Sequence, residues 1–125
     1  MQVRDVRTKR SVVGGQNESS SVPSTYVKSG AVETWGEALA DISSLLYLKQ
    51  NVPGLWLNLG RRISAMRRAL AAKWPEHDTS VWLDRLISAD PTTPDNVSLF
   101  DAAFQYRKQF QPALPLSQMP AAGVQ

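Results

Sequence analysis

Few side chains in this 125-residue sequence have the types and spacing to carry out chemistry, and most of those are cationic. The lone histidine, His77, stands in the run Glu76-His77-Asp78. A histidine between two carboxylates has the composition of a general acid–base site, but side chains at successive positions of a turn diverge. One histidine cannot supply the paired ligands of a helix-borne zinc site, and the absence of cysteine removes thiolates from the set. Gly14 and Gly15 are followed by neither the lysine nor the helix of a phosphate-binding loop. The residues therefore predict no catalytic centre, no metal and no cofactor, and His77 reads as a surface-turn or helix-capping residue.

The cations are better placed for binding. The stretch Asn58–Trp74 carries Arg61, Arg62, Arg67, Arg68 and Lys73 and no acidic side chain. On a helix turning about 100° per residue, Leu59, Ile63, Met66, Leu70 and Trp74 form an apolar stripe. Arg61 and Arg68 then point away from the stripe, Arg62 and Lys73 border one edge, and Arg67 borders the other. Guanidinium groups bind phosphate through forked hydrogen bonds, so these residues, with Arg4, Arg7, Lys9 and Arg10 near the N-terminus, are the candidate contacts for RNA or DNA.

The same charges can instead be balanced within the chain. Six carboxylates lie between Glu76 and Asp101 against the single Arg85, and Glu33, Glu37 and Asp41 form a further acidic row. The formal net charge of +3 equals the excess in the first ten residues, where four cations face one aspartate. A near-neutral folded region is expected, with the basic helix mostly compensated by its neighbours and Arg61 and Arg68 the hardest to pair.

The aromatic residues divide in a similar way. Tryptophans can serve as stacking platforms for bases, but Trp35, Trp74 and Trp82 fall on apolar faces and are expected in the core. Trp56 differs, because Leu55, Trp56 and Leu57 cannot all face inward on one helix. These three form a candidate protein interface, unless an irregular first turn buries them together.

The elements that must position these residues are helical. Thr34 and Glu37 have the spacing of a capping box, followed by Trp35, Ala38, Leu39, Ile42, Leu45 and Leu46 on one face. Asn51–Gly54 breaks the pattern, a second helix runs from about Leu55 to Lys73, and Pro75 ends it. A short third helix carries Trp82, Leu83, Leu86 and Ile87. A fourth opens at Ser98 with Asp101 in capping spacing and buries Leu99, Phe100, Ala103, Phe104 and Phe110. The fold expected is all-α, a small bundle of about four helices with extended N- and C-terminal arms. Residues 1–30 read as a flexible basic, Ser/Gly-rich arm in which Thr25–Val27 could add a strand, 31–111 as the helical domain, and 112–125 as a Pro-rich extended tail. No apolar run is long enough to span a bilayer and no signal-type apolar region follows the basic N-terminus. The expectation is a soluble, non-secreted protein, cytoplasmic or within a virion.

The segment GEALADISSLLYLK (Gly36–Lys49) is similar to a Gly-Glu…Ser-Leu…Leu-Leu-Lys segment of picorna-like virus capsid proteins. The resemblance covers that segment alone. The helices expected after Pro53 depart from the jelly-roll strands of that family, so no residue role follows from it. Taken together, the arms, the neutral helical region and the apolar Gly54–Gly60 segment predict a non-enzymatic structural or adaptor subunit of a larger assembly, viral or nucleoprotein in kind, acting through contacts with protein subunits. The alternative is a nucleic-acid-binding module built on helix 58–74 and the N-terminal arm.

Overall fold

The structure, a computed structural model, describes residues 22–113. Arg4, Arg7, Lys9 and Arg10 and the Pro-rich segment after residue 113 lie outside the described residues. Within them are five α-helices: α1 (Ser24–Ser29), α2 (Val32–Asn51), α3 (Trp56–Leu70), α4 (Ser80–Ala89) and α5 (Leu99–Gln109). One 3-10 turn, Pro75–His77, stands between α3 and α4. The all-α class is thus observed, and the four longer helices are those marked by apolar periodicity. No helix among the described residues is long and apolar enough to cross a membrane.

α1 was not legible as a helix. Thr25–Val27, read as a potential strand in the arm, lies inside it. Pro23 precedes its first turn, and Gly30 closes it at φ 80°, donating its N–H to the Tyr26 and Val27 carbonyls. That left-handed conformation strains any residue with a side chain, which is why the stop falls on glycine. α1 then places Tyr26 in the core at 2% exposure.

α2 starts at Val32, so Thr34 sits within it and does not cap it. The Thr34 hydroxyl donates to the Glu76 carbonyl at 2.7 Å, and Glu37 faces His77. Capping spacing alone does not distinguish a local cap from these tertiary bonds. The second capping pair does cap: the Ser98 hydroxyl accepts the Asp101 N–H at 3.0 Å and opens α5.

α2 contacts every other helix, while α3 pairs chiefly with α4 and α5 with α2. The core is built from Trp35, Ala38, Ile42, Leu45 and Leu46 of α2, Trp82, Leu83 and Leu86 of α4, and Ala102 and Ala103 of α5. Each fully buried large aliphatic side chain contributes about 1.5–3 kcal/mol of transfer free energy. At one end, Tyr26, Trp35 and Trp82 meet with ring centroids 5.3–6.2 Å apart. The Trp82 indole N–H donates to the Arg107 carbonyl at 3.0 Å, and Arg107 Nη1 donates to the Trp35 carbonyl at 2.9 Å. The buried Arg107 guanidinium also lies 4.2 Å from the Trp35 ring centroid, and burial pulls its pKa down to about 10. The Tyr26 hydroxyl donates to the Pro112 carbonyl at 3.2 Å, joining α1 to the exit of α5.

α5 departs from its expected face. Phe100 is 59% exposed, whereas Ala102, Ala103 and Arg107 are buried. Leu99 and Phe110 pack partly buried against the core as expected, and only Phe100 of the expected face is turned outward, where the small alanines bring α5 close to α2.

Candidate interaction surface on the third helix

The same rule governs α3 with larger consequences. Its buried residues are Trp56, Gly60 and Ser64, spaced four apart; of the expected Leu59–Trp74 stripe, Ile63 packs partly buried against the core, whereas Met66, Leu70 and Trp74 are exposed. A Cβ on Gly60 would stand 3.2 Å from Leu45 Cδ2 and 3.3 Å from Ile87 Cδ1, so glycine is what permits the contact with α2 and α4. Ser64 donates to Asp84 Oδ1 at 2.6 Å. The helix is therefore turned so that small residues face the core and large apolar ones lie beside it.

This rotation decides which cations are neutralised. Arg67, one turn beyond Ser64, points between α2 and the 3-10 turn. Its Nε and Nη2 donate to Asp41 Oδ2 and Oδ1, each at 2.9 Å, and Glu37 Oε1 is 3.9 Å away. Asp41 also accepts the Thr79 hydroxyl at 2.5 Å. The hydrogen bond to Asp41 raises the Arg67 pKa above the usual arginine value, against the opposing pull of desolvation. Arg68 pairs with Asp84 of α4 and donates to the Ser64 hydroxyl. The sequence placed Arg68 outward and hard to pair. α4 reaches it because α4 packs on the Gly60/Ser64 face, next to Arg68. Arg61, Arg62 and Lys73 are exposed and form no ion pair with a described residue, and the Lys73 ammonium lies 4.7 Å from the Trp74 ring centroid.

His77 belongs to the same polar junction. Its Nδ1 is 3.0 Å from Glu37 Oε2 and its Nε2 is 3.8 Å from Glu76 Oε2. Asp78 turns away to accept the Ser80 N–H at 3.0 Å and the Ser80 hydroxyl at 2.6 Å. Asp78 thus diverges from the other two, while His77 stands between Glu37 and Glu76 and links the 3-10 turn to α2. No group of three or more metal-binding side chains comes together among the described residues.

Several large apolar residues that periodicity assigns to the core lie exposed. Met66 is 50%, Leu70 38% and Trp74 41% exposed, so the expectation that Trp74 joins the core is corrected. α3 ends at Leu70, short of the Lys73 expected, and Trp74 falls in the following turn, outside the helix packing, with the Lys73 ammonium over its ring. Of the candidate interface Leu55–Leu57, Leu55 and Leu57 are exposed, but Trp56 is buried at 7% with the Lys49 ammonium 5.1 Å from its ring centroid. Trp56 shares the Gly60/Ser64 face, which is why it alone of the three turns inward. Two further exposed aromatics escaped sequence reading. Tyr47 of α2 is 59% exposed and lines a shallow groove with Ser43, Leu48 and Leu99. Phe100 follows on α5 with its ring 6.5 Å from that of Phe104. The signal available in the sequence was the pair of small residues Gly60 and Ser64 at one-turn spacing. No protein-family model matches the chain, and comparisons with curated proteins and with solved structures find no match.

Proposed function

We propose that the chain is a non-enzymatic structural or adaptor subunit of a larger assembly, viral or nucleoprotein in kind, and works through protein–protein contacts. The observation that carries this reading is the exposure of large apolar side chains on separate elements: Met66 and Leu70 of α3, and Tyr47 and Phe100 of α2 and α5. Single exposed apolar residues are ordinary, but rows of them mark surfaces that a partner covers. An adaptor needs more than one such surface. Light scattering after size-exclusion chromatography tests the reading. Species heavier than the 13.8 kDa monomer are expected, diminished by Tyr47→Ser with Phe100→Ser. A strict monomer that also binds no polypeptide overturns it.

A second reading is favoured by one specific observation: Arg61, Arg62 and Lys73 are exposed and without a carboxylate partner among the described residues. Three such cations, with Arg4, Arg7, Lys9 and Arg10, suit the phosphates of RNA or DNA. Binding that weakens steeply with added salt would favour this reading, and no binding at low salt would remove it.

A further inference from the structure

The uncovered face of α3 has a composition that selects among partners. Met66 and Leu70 of α3, with Trp74 in the turn that follows, form an apolar row, and two exposed cations accompany it, Arg62 on α3 and Lys73 with its ammonium over the Trp74 ring. No carboxylate occurs between residues 42 and 75, and Asp41 and Asp84, beyond the face, are already bonded to Arg67 and Arg68. The surface therefore combines an apolar row with positive charge.

We propose, on the basis of the adaptor reading, that this face receives an amphipathic helix of a different protein, with leucine-type residues along one side and Asp or Glu flanking them beside Arg62 and Lys73. The exposed row begins with Met66 and Leu70, one turn apart on α3, and Trp74 in the turn that follows extends it. Helices docked on such surfaces present anchors at i, i+3 or i+4, and i+7, which match this row. A second copy of this chain fits poorly, because its same face would set Arg62 and Lys73 against cations with no carboxylate to separate them. An anionic bilayer gains about five-fold per cation near its surface. Two cations beside side chains already half covered fall short of anchoring. Phosphate chains satisfy the cations but leave the apolar row in water.

The test uses the full chain and fluorescent synthetic peptides of about five helical turns. One has leucines on one face flanked by glutamates, and the other replaces those glutamates with lysines. The glutamate peptide should bind about ten-fold or more tighter than the lysine peptide. Met66→Gln with Leu70→Gln should weaken it by a similar factor, and Arg62→Glu with Lys73→Glu should reverse the preference. All four positions are exposed, so circular dichroism should show the variants folded. The inference is overturned by equal affinity for the two peptides, by a preference that the charge reversal leaves in place, by binding of neither, or by binding to phosphatidylserine vesicles alone. Light scattering on the same samples separates the two levels. Self-association without peptide binding removes this inference and keeps the adaptor reading, whereas a strict monomer that binds no peptide removes both.

Discussion

If Arg67 is a structural residue, it is coupled to Asp41, and a double-mutant cycle measures that coupling. The two side chains are 20% and 10% exposed and share two hydrogen bonds of 2.9 Å in forked geometry. Hydrogen bonds to charged groups are worth about 1.5–3 kcal/mol each when well buried, and residual solvent contact reduces this. Asp41→Ala also strands the Thr79 hydroxyl, which is fully buried. The single variant should therefore cost about 3 kcal/mol, towards the lower end for breaking a buried ion pair. Arg67→Ala leaves Asp41 its bond from Thr79 and should cost about 2 kcal/mol. The double variant should fall short of additivity by about 2 kcal/mol. Urea unfolding followed by fluorescence of the buried Trp35 and Trp82 supplies the four free energies. Against a typical domain stability of about 5–15 kcal/mol, every member of the cycle should remain folded. The more exposed pair Arg68–Asp84, at 56% and 52% side-chain exposure, provides the contrast. Its coupling should stay below about 1 kcal/mol and shrink in salt, while that of Arg67–Asp41 should not. A coupling under about 0.5 kcal/mol between Arg67 and Asp41 would refute the reasoning and return Arg67 to the cations available for phosphate.

Further outcomes follow from the same contacts. Gly60→Val forces a branched side chain against Leu45 and Ile87 and should destabilise by about 2 kcal/mol in urea unfolding, despite a gain of a few tenths from helix propensity. Met66→Gln, at a half-exposed position, should cost less than about 1 kcal/mol, where a buried site would cost several. Tyr26 is held neutral by burial, its pKa pushed up to about 12 against a smaller pull downward from Arg85. The unfolded phenol ionises near 10, so the stability it confers is complete below about pH 10 and is lost as pH rises through about 12. The stability difference between the native chain and Tyr26→Phe should accordingly fall by about 2–3 kcal/mol across that window in urea titrations at stepped pH. If single-stranded RNA binds at all, replacing Arg61, Arg62 and Lys73 by alanine should lower the slope of log affinity against log salt by about 2, whereas Arg67→Ala should leave it unchanged.

The helices were legible where apolar residues are numerous and face a single direction. Trp35, Ala38, Ile42, Leu45 and Leu46 repeat at helical spacing, and all five are buried. The 3-10 turn and α1 were not, because three residues, or six before a glycine cap, carry too little pattern to separate a helix from a strand. On α3, periodicity found a real stripe whose Ile63 packs against the core but whose Met66 and Leu70 do not. Counting apolar residues treats size as a proxy for burial, whereas close helix contact selects small residues. Gly60 and Ser64 let the backbones approach, and the larger Met66 and Leu70 are left at the rim. α5 repeats the pattern, with Ala102 and Ala103 inward and Phe100 outward. The sequence points to Leu55–Leu57 as the candidate protein interface. Leu55 and Leu57 are exposed, but the longer row at Met66, Leu70 and Trp74 was hidden by its own hydrophobicity.

Charge and apolarity on α3 have one cause in the rotation of the helix. Turning Gly60 and Ser64 to the core brings Arg67 to Asp41 and Arg68 to Asp84, so two of the four arginines of α3 are spent in holding the helices together. The same turn leaves Met66 and Leu70 in solvent beside Arg62 and Lys73. A rotation of about 100°, burying the apolar stripe in place of the small residues, would separate Arg67 and Arg68 from their carboxylates and uncover the glycine face. Protein docking and phosphate binding therefore make different demands on one surface, since docking requires the apolar row and phosphate binding does not. Substituting Met66 and Leu70 with glutamine, with every cation retained, distinguishes them: peptide binding should fall about ten-fold, while any RNA affinity at a given salt should stay within two-fold. An equal loss of both would mean that the row and the cations act as one site for nucleic acid.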